Sequence, residues 1–208
     1  MRKIIVTEFV TLDGVVQAPG GPTEDTTGGF AYGGWSVNYW DEIMGTVMTG
    51  FMGLPFELLL GKRTYDIFAA YWPHTKEDAV VAEPFNATKK YVVSDKSFEP
   101  SWQNSACITG DVVAQIKKLK DEDGPDLWVH GSGNLIQTLL KHHLIDRMYL
   151  WIFPVTVGSG KRLFAEGAQA EGFKLIESKS STTGVVIATY ESIGALKTGS
   201  IQPAKNGS

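Results

Sequence analysis

An apolar, strand-like run that ends at a glycine and leads directly into a helix occurs twice in this chain. The first has the sequence ELLLGKRTY and begins at Glu57; the second has the sequence LWVHGSGNLI and begins at Leu127. The first turn of a helix has unpaired backbone N–H groups and the positive end of the helix dipole, so each turn suits a phosphate group. Two such turns in one chain predict a ligand with several phosphates, such as a dinucleotide.

Length and composition favour a single globular domain. The 208 residues suffice for one domain with a substantial core, and the hydrophobic content of 43% is that of an ordinary globular protein. The net charge of −4 argues against a general nucleic-acid-binding protein. The single cysteine, Cys107, excludes an intrachain disulfide, and the histidines show no metal-ligand spacing. No apolar run approaches the ~20 residues that span a membrane, so we expect a soluble, cytoplasmic protein without a metal.

Hydrophobic patterning predicts an α/β sandwich of three layers with a mixed, mainly parallel central sheet. Predicted strands cover residues 3–10, 57–60, 91–94, 106–109, 127–130 and 147–153, with a final antiparallel pair at 173–178 and 185–192. Predicted helices cover residues 38–53, 64–71, 112–119 and 135–144. We expect one domain over residues 1–195 and a flexible tail over 196–208, where Gly, Ser, Lys and Pro predominate.

A long segment over residues 18–34 is rich in Gly, Pro and Thr, which indicates a functional loop. It contains Phe30 and Tyr32, and Trp35 follows it. We favour a lid that closes on an apolar or flat ligand. The alternative is that these aromatic side chains only anchor a surface loop.

The two turns contain side chains that suit phosphate binding. Gly61 allows close backbone approach, and Thr64 can cap the helix or bind a phosphate oxygen. Arg63 or Lys62 can pair with a further phosphate, including the 2′-phosphate that distinguishes NADPH from NADH, or both can be solvated cations. In the second turn Ile136 replaces the third glycine of a Rossmann fingerprint, so a pyrophosphate site remains but a standard Rossmann fold is disfavoured.

A third cluster of glycines and basic residues, GSGKR, begins at Gly158. It is not a P-loop because Arg162 stands where that motif needs Ser or Thr, and a surface turn is favoured.

Acidic residues in the first third of the chain are candidates for proton donation or relay. We select Asp13, Asp41 and Glu42 as candidate catalytic residues. Each has a structural alternative, because Asp next to Gly commonly forms turns and acids commonly occupy helix starts.

Five short motifs occur in an order that resembles the dihydrofolate reductase-like superfamily. They are TLDG at 11–14, LLGKRTY at 59–65, YVVS at 91–94, VHGSG at 129–133 and FPVTVGSGKRLF at 153–164. The last motif most resembles the reductase domain at the C-terminal end of the bifunctional riboflavin-pathway deaminase–reductase and its stand-alone relatives. The resemblance covers roughly residues 2–193 and implies the dihydrofolate reductase-like fold.

The resemblance also implies NADPH as the cofactor and hydride transfer to a polarised C=N or C=O bond. The implied cofactor contacts are Gly61, Lys62, Arg63 and Thr64 at the adenosine-side phosphates, Ser94 near the adenosine, Gly131, Ser132, Gly133 and Asn134 at the pyrophosphate, and Gly14 in the lid over the nicotinamide.

Substrate identity is less well determined than cofactor binding. The nearest activity is reduction of 5-amino-6-(5-phosphoribosylamino)uracil, although Ile67 follows Asp66 where the riboflavin reductases have an Asp-Pro-x-Leu segment. Dihydrofolate reduction is the alternative: Asp41 or Glu42 lies near the position of the pterin-binding acid, but no arginine for the folate tail is evident. A nucleotide-binding module without catalysis is a third hypothesis.

The expected partner is a small molecule of pyrimidine or pteridine type, with no nucleic acid or membrane. The strand over residues 147–153 places Tyr149 and Trp151 on one face. This face is either the surface of a homodimer or part of the core.

Overall fold

The computed structural model describes residues 1–164, 166 and 168–201. Its elements are β1 (Ile4–Thr11), α1 (Glu42–Met52), β2 (Phe56–Gly61), α2 (Lys62–Tyr71), α3 (Ala79–Ala87), β3 (Lys90–Val93), β4 (Ser105–Ile108), α4 (Val112–Asp121), β5 (Asp126–His130), α5 (Gly133–Lys141), β6 (Arg147–Phe153), β7 (Glu171–Ser180) and β8 (Val186–Ala195). Two short 3-10 helices lie at Thr27–Gly29 and Val37–Tyr39.

All eight strands form one sheet in the order β4-β3-β2-β5-β1-β6-β8-β7. Strands β1 to β6 pair in parallel wherever they are neighbours, with β1 between β5 and β6. Strand β8 is antiparallel to both β6 and β7. The predicted mixed, mainly parallel sheet with a C-terminal antiparallel pair is therefore confirmed.

Helices cover both faces of the sheet and make three layers. Val6 and Val10 of β1 belong to a core cluster with α4 and α5, whereas Ile5 belongs to a cluster with α1, α2 and α3. Successive side chains of a strand point to opposite faces, so β1 contributes to both cores. This explains why its sequence is apolar without a clean alternation.

Two helices differ from the sequence-based expectations, and the burial of one strand face decides between two alternatives. Helix α3 was not predicted, because Pro84 lies inside it and proline normally argues against a helix interior. Helix α1 begins at Glu42 rather than at 38, since the Asp41 carboxylate accepts the Met44 N–H and caps it there. Tyr149 and Trp151 are 6% and 0% exposed, so their face is core and not a dimer surface.

The predicted homodimer stays a prediction. So does the flexible tail, of which residues 202–208 lie outside the described residues.

The buried face of α5 provides a test of the fold. Leu139 is fully buried, so Leu139→Ala should lower the free energy of unfolding by about 2–5 kcal/mol through lost contacts and a residual cavity. Val80→Ala in α3 is the control, because Val80 is 51% exposed and its truncation should cost at most about 0.5 kcal/mol. Urea unfolding at constant m-value measures both; equal costs would contradict the assignment of α5 to the core.

Candidate functional site

The carboxyl ends of β2, β5, β1 and β6 meet at one edge of the sheet. Strands β2 and β5 are parallel neighbours, with Leu58 opposite Trp128. The turns that follow them, at Gly61 and at Gly131, therefore lie side by side. In open α/β sheets this edge is where ligands bind.

The Ser132 hydroxyl joins the two turns directly. Its Oγ accepts the Gly61 N–H at 2.8 Å and donates to the Thr64 Oγ1 at 2.8 Å. Gly131 has a φ of +58°, and a Cβ there would lie 3.3 Å from Thr64 Oγ1, so both conformation and space favour glycine. Ser132 itself is left-handed, with φ 72°. Gly133, by contrast, faces open space.

Both cations of the first turn are paired with carboxylates of the chain. Lys62 Nζ lies 2.7 Å from both oxygens of Asp66, one helical turn further on. An Arg63 Nη donates to Asp25 Oδ1 at 2.7 Å, which brings the loop over residues 18–34 onto α2.

The other predicted cofactor residues lie at the same edge. Ser94 follows β3, one position beyond the pairing of Val93 with Gly61. Asn134 is exposed in the first turn of α5. The structure thus brings the predicted residues of β2, β3 and β5 together.

The segment after β1 is attached to the loop that carries the third glycine cluster. Asp13 accepts the Thr11 hydroxyl at 2.6 Å and the Gly158 N–H at 2.8 Å. These hydrogen bonds, that from Thr11 first, lower the pKa of Asp13. The Gly14 carbonyl accepts the Leu163 N–H, and Val15 forms a β-bridge with Arg162.

The aromatic residues of the predicted lid have different environments. Phe30 is buried against Val15 and Ala18, whereas Tyr32 is 57% exposed. Trp35 donates its indole N–H to the Gln17 carbonyl and packs edge-on against Phe153. The segment is thus anchored at Phe30 and Trp35 and exposes Tyr32.

The loop also contributes charged residues that the sequence did not single out as a site. Asp25 binds Lys161 as well as Arg63, with Lys161 Nζ 2.5 Å from its Oδ2. Burial raises the pKa of Asp25, but hydrogen bonds from Lys161 and Thr27 outweigh this and lower it to about 2. Asp25 and Lys161 are 136 positions apart, so no sequence spacing could reveal the contact.

Aromatic side chains line the sheet face under α1. Trp40, 47% exposed, stacks on the fully buried Trp151 with ring centroids 5.9 Å apart. Phe9 packs between Trp151 and Phe153, and Phe51 stacks on Tyr149 at 4.4 Å. The carboxyl-terminal end of this face, at Phe153, lies at the same edge of the sheet as the two turns.

Buried polar atoms on this face without a hydrogen-bond partner among the described residues include Thr7 Oγ1, His130 Nε2 and Trp151 Nε1. Thr7 lies opposite His130 on β5 and opposite Tyr149 on β6. Burial lowers the pKa of His130 to about 4, so its ring is neutral at physiological pH. A polar ligand could satisfy such atoms, which are otherwise costly.

The predicted catalytic acids occupy structural positions. Besides capping α1, Asp41 accepts the backbone N–H and hydroxyl of Thr182, and its pKa is lowered by the Met44 and Thr182 hydrogen bonds. Glu42 is exposed in the first turn of α1. Their catalytic roles stay predictions.

Glu8, on the opposite face of β1, is the acid whose pKa is raised well above its usual range. Burial is the main cause, and the charge of Glu24 adds to it.

Over the described ranges, no group of three or more His, Cys, Asp or Glu residues is arranged to hold a metal ion. Within the same ranges, no helix has the length and apolar character needed to cross a membrane.

Solved structures share this fold. A protein from Shewanella sp. PV-4 named for riboflavin biosynthesis superposes with a TM-score of 0.64 at 21% identity, covering 91% of this chain and 98% of the other. A pyrimidine reductase-like protein from Corynebacterium diphtheriae gives 0.59 at 15% identity, covering 92% of each chain. Dihydrofolate reductase from Enterococcus faecalis, complexed with NADP(H) and RAB-propyl, gives 0.57 at 11% identity, covering 92% and 96%.

These superpositions identify the fold as dihydrofolate reductase-like. More specifically, the chain belongs to the RibD C-terminal domain family, whose profile matches residues 2–187. The resemblance found in the sequence is thereby confirmed. Among curated proteins, this chain is 29% identical to the uncharacterized Bacillus subtilis (strain 168) protein YyaP, and the match covers 91% of this chain and 94% of that protein. It is 26% identical to YwjB of the same organism, over 79% and 84%.

His130, whose Nε2 is buried, should make stability depend on pH. Its pKa is lowered from 6.5 to about 4 in the fold, so the unfolded chain binds the proton more readily between these values. Stability should therefore fall by about 2–3 kcal/mol as pH drops through this window. His130→Phe should remove this part of the dependence, whereas His74→Asn, at an exposed histidine, should retain it. Denaturant unfolding from pH 7 to pH 4 measures the effect; identical profiles for all three proteins would contradict it.

Proposed function

We propose that this protein is an NADPH-dependent reductase that transfers a hydride to a C=N or C=O bond of a flat heterocycle. The observation that carries the proposal is the pair of glycine turns joined by the Ser132 hydroxyl at the sheet edge. Two linked helix starts provide adjacent sets of backbone N–H donors, which suit the several phosphates of a dinucleotide. Family membership supports reductase chemistry at this place.

The residues present fit the cofactor. Gly133 opens onto free space at the start of α5, where a side chain would obstruct a pyrophosphate. Arg63 and Lys62 lie beside the first turn with partly exposed side chains, although each is paired with a carboxylate of the chain. When bound, NADPH supplies the hydride, and the chain's own residues bind its phosphates and exclude water.

We place the substrate ring on the aromatic face under α1. Trp40 is half-exposed there and presents a flat surface, and Thr7 and His130 have hydrogen-bonding atoms without partners among the described residues. A pyrimidine such as that of the riboflavin pathway suits both properties, because it combines a planar ring with polar edges. The acid that protonates the product is proposed among Asp13, Asp41 and Glu42.

A cytoplasmic location is part of this proposal. The single Cys107 suits a reducing compartment.

Gly133→Leu tests the cofactor site. A Cβ at Gly133 meets no atom within 4 Å, so the variant should fold normally but obstruct the phosphate turn. We expect the Kd for NADPH to rise by at least about tenfold in a fluorescence titration. Gly50→Leu is the matched control, since Gly50 also has free space around it but lies on the exposed side of α1. Equal affinities for the two variants would place the nucleotide elsewhere.

Turnover separates a reductase from a nucleotide-binding module. Steady NADPH consumption with a pyrimidine or pteridine substrate, lost in Gly133→Leu and retained in Gly50→Leu, is the expected result. Dihydrofolate belongs in the same panel, with NADH as the second cofactor. Nucleotide binding without consumption of any substrate would contradict catalysis and support the binding module.

A further inference from the structure

Two cations from distant parts of the chain converge on the carboxylate of Asp25. Arg63, in the first turn of α2, lies 2.7 Å from one oxygen, and Lys161, in the third glycine cluster, lies 2.5 Å from the other. The Asp25 side chain is 11% exposed, whereas those of Arg63 and Lys161 are 52% and 47% exposed. The anion is therefore buried between cations that solvent and ligands can still reach.

The backbone around Asp25 is held by Gln17 as well as by this carboxylate, which accepts the Thr27 N–H at 3.1 Å. The Gln17 amide donates to the carbonyls of Asp25 and Thr27, and its oxygen accepts the Lys161 N–H at 3.0 Å. A cavity of about 370 Å³ adjoins these groups, lined by Gln17, Thr27, Gly28, Phe30, Ser159, Gly160 and Lys161. The three Gln17 hydrogen bonds do not involve the carboxylate, so they remain if it turns away from the cations.

The direct contacts favour a second anion at the same place. Arg63 and Lys161 both contact the single carboxylate of Asp25, and neither pairs with another carboxylate among the described residues. A phosphate carries more negative charge and more acceptor oxygens than a carboxylate, and arginine binds phosphate through two parallel hydrogen bonds.

We propose that Arg63 and Lys161 form an anion-binding site for which the Asp25 carboxylate and a phosphate group of the nucleotide compete. Asp25 thereby acts as an internal competitor that sets the affinity for the cofactor. This inference rests on the proposed function and adds Lys161 and Asp25 to it.

Asp25→Asn tests the competition, because the amide keeps the size of the side chain and removes its charge. We expect NADPH to bind about tenfold more tightly than to the wild type, and Lys161→Met to weaken binding in both backgrounds. The matched control is Glu191→Gln. Glu191 also binds two cations, Lys3 at 3.3 Å and Arg147 at 3.1 Å, but these lie at the beginnings of β1 and β6, away from the site. The control should leave NADPH affinity unchanged.

Titration with inorganic pyrophosphate separates failure of this inference from failure of the proposed function. Tighter pyrophosphate binding in Asp25→Asn without NADPH binding by any form would support the anion site and overturn the cofactor. NADPH binding that neither Asp25→Asn strengthens nor Lys161→Met weakens would overturn the anion site and keep the cofactor. Weaker NADPH binding in Asp25→Asn, with a lowered melting temperature, would show that the carboxylate is only a structural clasp and would also overturn the proposal.

Discussion

The parallel pairing of β1 with both β5 and β6 is the constraint on which the rest of this structure depends. Parallel neighbours end at the same edge, so the pairing brings the segment after β1, the turn after β5 and the loop after β6 to one place. The pairing of β2 with β5 adds the second glycine turn. The two glycine turns, Asp13 and the third glycine cluster are all positioned by these strand ends.

Two kinds of contact then organise the edge. Neutral hydrogen bonds through Ser132 link the two turns, whereas ion pairs through Asp25 link the loop to α2 and to the third glycine cluster. The first kind is short and insensitive to salt. The second kind involves half-exposed cations and is weakened by ionic strength. The fixed part of the site and its adjustable part therefore depend on different physical forces.

Most of the sheet could be predicted from sequence, because strands such as Arg147–Phe153 carry a strong local apolar signal. Helix α3 could not be predicted, because Pro84 argues against a helix in the sequence, whereas packing of Phe85 into the core stabilises one in the fold. The glycine turns were visible locally, but their contact through Ser132 depends on the order of strands in the sheet. The link between Asp25 and Lys161 depends on that order too. The order of the motifs predicted the fold through resemblance to a known family. The burial and partners of individual acids such as Asp41 could not be predicted, because they depend on residues that are distant in sequence.

The left-handed Ser132 has a consequence for how the two ends of the site respond to one another. Its conformation costs a residue with a side chain about 1–2 kcal/mol relative to glycine, yet only the side chain can reach both Gly61 and Thr64. Glycine at this position would relax the backbone and remove both hydrogen bonds, leaving the turns linked only by strand pairing and packing. With serine, the starts of α2 and α5 share a hydroxyl, so a shift of one start strains the hydrogen bonds of the other.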